Sequence, residues 1–135
     1  MSTIESKSTT GQRPLSPHLQ VYRWSWTMTM SILHRVTGTG LYFGTLLIAY
    51  WLISAASSKG GYDRAQWIFG SFVGRLILFG YTWALIHHLI GGLKHFVWDF
   101  GLGFGPKSRE GMAIASIALS VGLTLVVWVV GYAVR

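Results

Sequence analysis

Two short runs of this sequence place ionisable side chains among apolar neighbours. The first is Ser31-Ile32-Leu33-His34-Arg35, and the second is His87-His88-Leu89-Ile90-Gly91-Gly92-Leu93-Lys94-His95, followed by Asp99. An ionisable group inside an apolar helix is expensive, so each of these needs a reason to be there. Read as a helix, the second run puts His88, Gly92, His95 and Asp99 at i, i+4, i+7 and i+11, on one face. An imidazole with a glycine one turn away suits a flat macrocycle. It supplies a nitrogen to ligate iron and no side chain to block the plane, which marks His88 as the candidate metal ligand. A histidine hydrogen-bonded between packed helices fits the same spacing. His87 is turned by about 100° from His88 and is expected to be structural.

In the first run, Trp24, Met28, Ser31, Ile32 and Arg35 fall at i, i+4, i+7, i+8 and i+11. That stripe mixes aromatic, soft apolar and hydrogen-bond-donating groups, as the walls of a quinone site would. The ring needs apolar sides, and its carbonyl oxygens need donors that strengthen as negative charge develops on reduction. Ser31 offers a hydroxyl and Arg35 a guanidinium that keeps its proton. A snorkelling arginine beside an interfacial tryptophan gives the same pattern without a ligand.

The elements that must position these groups are long and apolar. Residues 36–58, 76–93 and 111–134 contain no Lys, Arg, Asp or Glu. As helices these runs extend about 34, 27 and 36 Å against a hydrocarbon core of about 30 Å. The expected architecture is therefore all-α and membrane-integral. Residues 1–25 form an extended or short-helical surface segment, and residues 26–135 form a three-helix transmembrane domain with helices at about 26–56, 65–100 and 111–134. Ser57 to Asp63 reads as a turn, and Gly101, Gly103, Gly105 and Pro106 end the second helix. His34 then lies about 12 Å inside helix one, and His88 about 16 Å before Asp99 in an antiparallel helix two. Both runs approach the same membrane face and define a polar pocket there. Its contents favour an anionic or carbonyl-bearing ligand over a hard cation. From depth alone, a haem held within the chain by His34 and His88 also fits. Gly40 with Gly44, Gly70 with Gly74, and Ser116, Ser120 and Thr124 read as packing seams. The third span carries no ionisable group before Arg135 and is assigned to packing.

Composition removes other classes. Charged residues make up 11% of the chain, against about a quarter in soluble domains. Three spans leave too little chain for a soluble catalytic cleft. Segments such as Leu46 to Ile53 are apolar on every side and lack the alternation of a barrel strand. With no Cys, the chain holds neither a disulfide nor a thiolate-bound cluster. The net charge of +7 is spread beside the spans and is read as a topology signal, so nucleic acid is not an expected partner; the bilayer is. Lys7, Arg13, Arg23, Arg35, Lys94, Lys107 and Arg109 fall on one side, and Lys59, Arg64, Arg75 and Arg135 on the other. The positive-inside rule puts the N-terminus in the cytoplasm. The polar character of positions 1–26 gives no cleavable signal peptide.

Three motifs, Arg13-Pro14-Leu15-Ser16-Pro17-His18-Leu19, Ser31-Ile32-Leu33-His34-Arg35-Val36-Thr37-Gly38 and His88 to Asp99, occur in this order on a three-span chain. Over about residues 12–134 the sequence resembles the cytochrome b556 family of succinate dehydrogenase membrane subunits. The resemblance implies a subunit of respiratory complex II in a bacterial inner membrane, or in the mitochondrial inner membrane of a eukaryote. It implies three partners: a flavoprotein, an iron–sulfur protein and a second small membrane anchor. It further implies haem b shared with that anchor, with His88 as one axial ligand, and ubiquinone as substrate. Ser31 and Arg35 match the family's quinone-site residues, with Trp24, Met28 and Ile32 as site lining. His34, Arg35 and His95 fall where the family surrounds the haem propionates. Family members often carry Arg at position 94, where this chain has Lys94. The alternatives are the anchor of a quinol:fumarate reductase and a haem-free transport or assembly subunit.

Overall fold

A computed structural model describes residues 23–135; the surface segment and the motif from Arg13 to Leu19 lie outside them, apart from Arg23 to Ser25. Among the described residues the chain is four helices without a strand. They are α1 (Trp26–Ser57), α2 (Lys59–Gly70), α3 (Phe72–Asp99) and α4 (Pro106–Ala133). At 32, 28 and 28 residues, α1, α3 and α4 are long and apolar enough to cross a membrane. The 12 residues of α2 extend only about 18 Å and cannot span.

The second helix departs from the single 65–100 element expected from sequence. The chain re-enters helix at Lys59, immediately after Ser58, and breaks again at Ser71. Each break is a serine cap. The Ser58 hydroxyl accepts from the Gly61 N–H at 3.1 Å, and the Ser71 hydroxyl accepts from the Gly74 N–H at 3.0 Å. Ser71 also donates to the Ile68 carbonyl at 2.6 Å, so one side chain closes α2 and opens α3. Gly74 is the residue that permits the corner. A Cβ there would meet the Ile68 carbonyl and come within 2.8 Å of the Phe69 Cα.

The α3–α4 connection follows the glycine signal. Gly101 and Gly103 adopt φ of 76° and 78°, the left-handed region that glycine enters without strain. Helix α4 begins at Pro106, five residues before the expected Gly111, because a proline at the first helical position loses no hydrogen bond.

Helix α3 packs against both α1 and α4. Little of this packing is hydrophobic burial: Met30, Ala65 and Ala113 are the fully buried apolar residues among those described. Close approach and polar pairs replace it, as expected where lipid competes for apolar surface. Gly44 lies under the Tyr81 ring, and the Trp128 indole N–H donates to Thr82 Oγ1 at 3.3 Å. Ser116, Ser120 and Thr124 are buried along α4. Gly40 and Gly70, read from sequence as seam residues, face open space within this chain.

Candidate functional site

The site lies where the first turns of α1 meet the last turns of α3. Two histidines from different helices exchange places there. The His88 ring sits over Gly38, where a Cβ would come within 2.8 Å of its Cε1, and the His34 ring sits over Gly91, where a Cβ would strike it. The two imidazoles stack at 4.0 Å between centroids and 12° between planes, and His95 approaches His34 edge-on at 5.5 Å. Neither glycine was singled out in the sequence as a histidine contact. The visible one, Gly92, has open space where a side chain would project.

His88 Nδ1 lies 3.1 Å from the backbone carbonyl of His34. A carbonyl only accepts, so Nδ1 carries the proton and Nε2 keeps its lone pair. This is the second-shell arrangement that orients a metal-ligating imidazole. His87 differs in place more than in chemistry. Its Nδ1 lies 3.2 Å from Ser120 Oγ, whose own proton goes to the Ile117 carbonyl at 2.9 Å, so His87 donates. The His87 ring is buried between α3 and α4 at 2% exposure and stacks on Trp83 at 5.2 Å. His88 is only half-buried, on the α1 side of α3, which leaves an approach to its free nitrogen.

Parallel stacking also decides how His34 relates to an iron. Two axial imidazoles must point end-on at the metal from opposite sides. Rings lying face to face at 4.0 Å do not, so the geometry disfavours ligation of one iron by His34 and His88 within the chain. Among the described residues no three His, Cys, Asp or Glu side chains gather as a bare metal-ion site. The set that is present, one imidazole with a free Nε2 beside an open glycine, fits a macrocycle that brings its other ligands with it.

Beside the histidine pair is a cleft of about 180 Å³ lined by Thr27, Met30, Ser31, His34, Arg35, Lys94, His95 and Trp98. Arg35 and Lys94 line it and no carboxylate does, so it favours an anion or a carbonyl on which charge develops. Lys94 Nζ lies 5.0 Å from the centre of the Trp98 ring, which holds the ammonium at the cleft wall. His34 Nε2 and Trp98 Nε1 are buried without a hydrogen-bond partner among the described residues, as is Trp83 Nε1 outside the cleft.

The structure thus brings Ser31, His34, Arg35 and His95 together, with His88 stacked behind them. It does not bring Trp24, Met28 and Ile32 into the cleft. Trp24 precedes the Ser25 cap, so helical spacing does not extend to it; its indole N–H donates to Thr29 Oγ1 at 2.6 Å and the residue is 69% exposed. Ile32 is exposed on the outer face of α1. The α1 lining instead follows 27, 30, 31, 34 and 35, a regular helical arc. A count from Thr27 at i, i+3, i+4, i+7 and i+8 gives this arc, which the count from Trp24 misses.

Three apolar helices with a cationic, histidine-rich cleft sunk between two of them define a small polytopic membrane protein with a polar site inside the bilayer. A family model described as succinate dehydrogenase/fumarate reductase transmembrane subunit matches residues 9–129, and the chain belongs to that family. The succinate dehydrogenase cytochrome b556 subunit of Paracoccus denitrificans is 44% identical over 124 residues, which cover 89% of this chain and 95% of the relative. That of Rickettsia felis is 34% identical, covering 87% and 92%. The mitochondrial cytochrome b560 subunit of Bos taurus is 32% identical, covering 90% and 73%. The chain is a multi-pass inner-membrane subunit of an enzyme complex and is not catalytic alone.

Proposed function

We propose that this chain is the anchor subunit of a succinate:ubiquinone oxidoreductase that holds haem b with a second small membrane subunit and forms part of the ubiquinone-reduction site. The observation that carries the reading is the clustering of Ser31, His34, Arg35 and His95 around one cationic cleft, with His88 presenting a free Nε2 beside it. A flavoprotein would oxidise succinate, and an iron–sulfur protein would deliver electrons at this face. The relatives named above favour this over a quinol:fumarate reductase, because each is a succinate dehydrogenase subunit.

His88 Nε2 would ligate the haem iron, with Nδ1–H anchored on the His34 carbonyl, and the partner anchor would supply a further ligand. Bound there, haem b supplies one-electron storage close to the quinone. Arg35 and His95, with His34, lie where they would meet the haem propionates. Ser31 and Arg35 would donate to a quinone carbonyl oxygen, and the fixed guanidinium charge favours the reduced, more negative oxygen over the neutral one. Trp24, Met28 and Ile32 lie outside this chain's cleft and would reach the quinone only in a site completed by the partners. Quinone takes up two electrons and two protons to become quinol. The cleft is lined by Lys94, His95 and Trp98 near the end of α3, and protons would be taken from that side, the cytoplasm.

Arg35→Ala is expected to lower succinate:quinone activity by about 10²-fold, the scale of losing one preorganised charged donor. Succinate oxidation by a soluble dye should stay close to wild type. Equal loss of both activities would contradict the assignment.

A further inference from the structure

The end of the molecule opposite the histidine cleft carries a second polar recess. It lies between α2, the first turn of α3 and the end of α4, has a volume of about 400 Å³, and is lined in part by Gln66, Arg75, Tyr132 and Arg135. No acidic residue lines it. Asp99 and Glu110 sit at the other end of the helices, and Asp63 on α2 is outside the lining. Two arginines therefore line one space with no Asp or Glu side chain beside them.

The recess is continuous with an apolar groove. Leu78, Trp128, Tyr132 and Arg135 also line a neighbouring space of about 340 Å³ that runs down the α3–α4 surface past Thr82, Val127 and Gly131. Its floor is firm, because the Trp128 indole is held by Thr82 and packs edge-on against Phe79 at 5.3 Å. Gly131 leaves it open, with nothing within 4 Å of where a Cβ would stand. Above it, Trp67 on α2 is 77% exposed and Phe72 is 82% exposed, the aromatic pattern of a membrane interface.

We propose that this end holds a bound anionic phospholipid. Its phosphodiester headgroup pairs with Arg75 and Arg135 and accepts from Tyr132 or Gln66, while an acyl chain lies in the groove over Leu78 and Val127. Arginine suits this ligand because its fork of N–H donors matches two phosphate oxygens. A free phosphate shares the headgroup chemistry but has nothing to occupy the groove. The inference is independent of the haem and quinone reading.

The test uses the full chain in detergent with its co-purifying subunits, stripped of lipid by washing. Thermal unfolding is then followed against added phosphatidylglycerol, phosphatidylcholine of the same acyl chains, or inorganic phosphate. Phosphatidylglycerol should raise Tm at concentrations where the other two do not. Arg75→Gln and Arg135→Gln should each weaken its apparent affinity about fivefold. The double variant Lys59→Gln/Arg64→Gln, which removes two charges from the same end outside the recess, should leave it unchanged. Gly131→Phe should abolish the effect by filling the groove, and it answers the question alone if the arginine variants do not assemble. The proposal is overturned if Arg75→Gln and Arg135→Gln bind as wild type, if Lys59→Gln/Arg64→Gln loses as much, if inorganic phosphate reproduces the shift, or if a photo-cross-linker at position 132 captures a protein chain in place of lipid.

Discussion

His87 and His88 are adjacent, chemically alike and both placed to donate from Nδ1, yet they stand in different surroundings. His87 spends its donor on Ser120 inside the α3–α4 contact, and His88 spends its own on the His34 carbonyl at a half-open surface. The exchange of rings over Gly38 and Gly91 fixes the second arrangement. A methyl group at either position would push an imidazole aside, at a cost of about 1–3 kcal/mol where the core cannot yield. Gly38→Ala is therefore expected to shift or weaken the haem absorption band, while Gly92→Ala, which meets open space in the chain, should fold normally; a normal band in Gly38→Ala would show that the His88 position is not set by this contact. Sequence spacing was enough to separate His88 from His87 and to pair Ser31 with Arg35. It could not show that Gly38 and Gly91 lie under the rings while Gly92 does not, because that depends on the crossing of two helices at His34 and His88, 54 positions apart in sequence.

At the scale of elements, the uncharged runs located all three spanning helices but not the break between α2 and α3. The stretch from Ala65 to Phe100 contains no proline, and its periodicity continues through Ser71. The break is made by one hydroxyl and one missing Cβ, both too local to interrupt a hydrophobic pattern. Ser71→Ala should lower stability by about 1 kcal/mol, the usual value of a helix cap. Gly74→Val should lower it further, because the β-branched side chain collides with the α2 backbone, whereas Gly70→Val points into open space. Thermal unfolding in detergent ranks the three, and equal effects at 70 and 74 would contradict the corner described here. The small-residue pairs show the same limit. Gly44 does seat Tyr81, but Gly40 does not seat anything in this chain, since a spacing rule says which residues permit contact and not which neighbour arrives.

At the scale of the whole molecule, few apolar side chains are buried among the described residues, so close backbone approach and polar contacts carry the packing within the chain. The proposed reading puts the histidine cleft in the cytoplasmic half of the membrane. The chain has no native Cys, so single cysteines report topology without background. Ser108→Cys, at the start of α4, should react with a membrane-impermeant thiol reagent only from the cytoplasmic side, and Ser58→Cys only from the opposite side; the reverse labelling would move the cleft to the wrong face for an iron–sulfur donor. The measurement that bears most directly on the account is the dithionite-reduced minus oxidised spectrum of detergent-extracted membranes containing His88→Ala or His87→Ala, co-expressed with the partner subunits and compared with wild type. A b-type band lost in His88→Ala and retained in His87→Ala is the expected result. A band that survives in His88→Ala would contradict the assignment of His88 as the axial ligand.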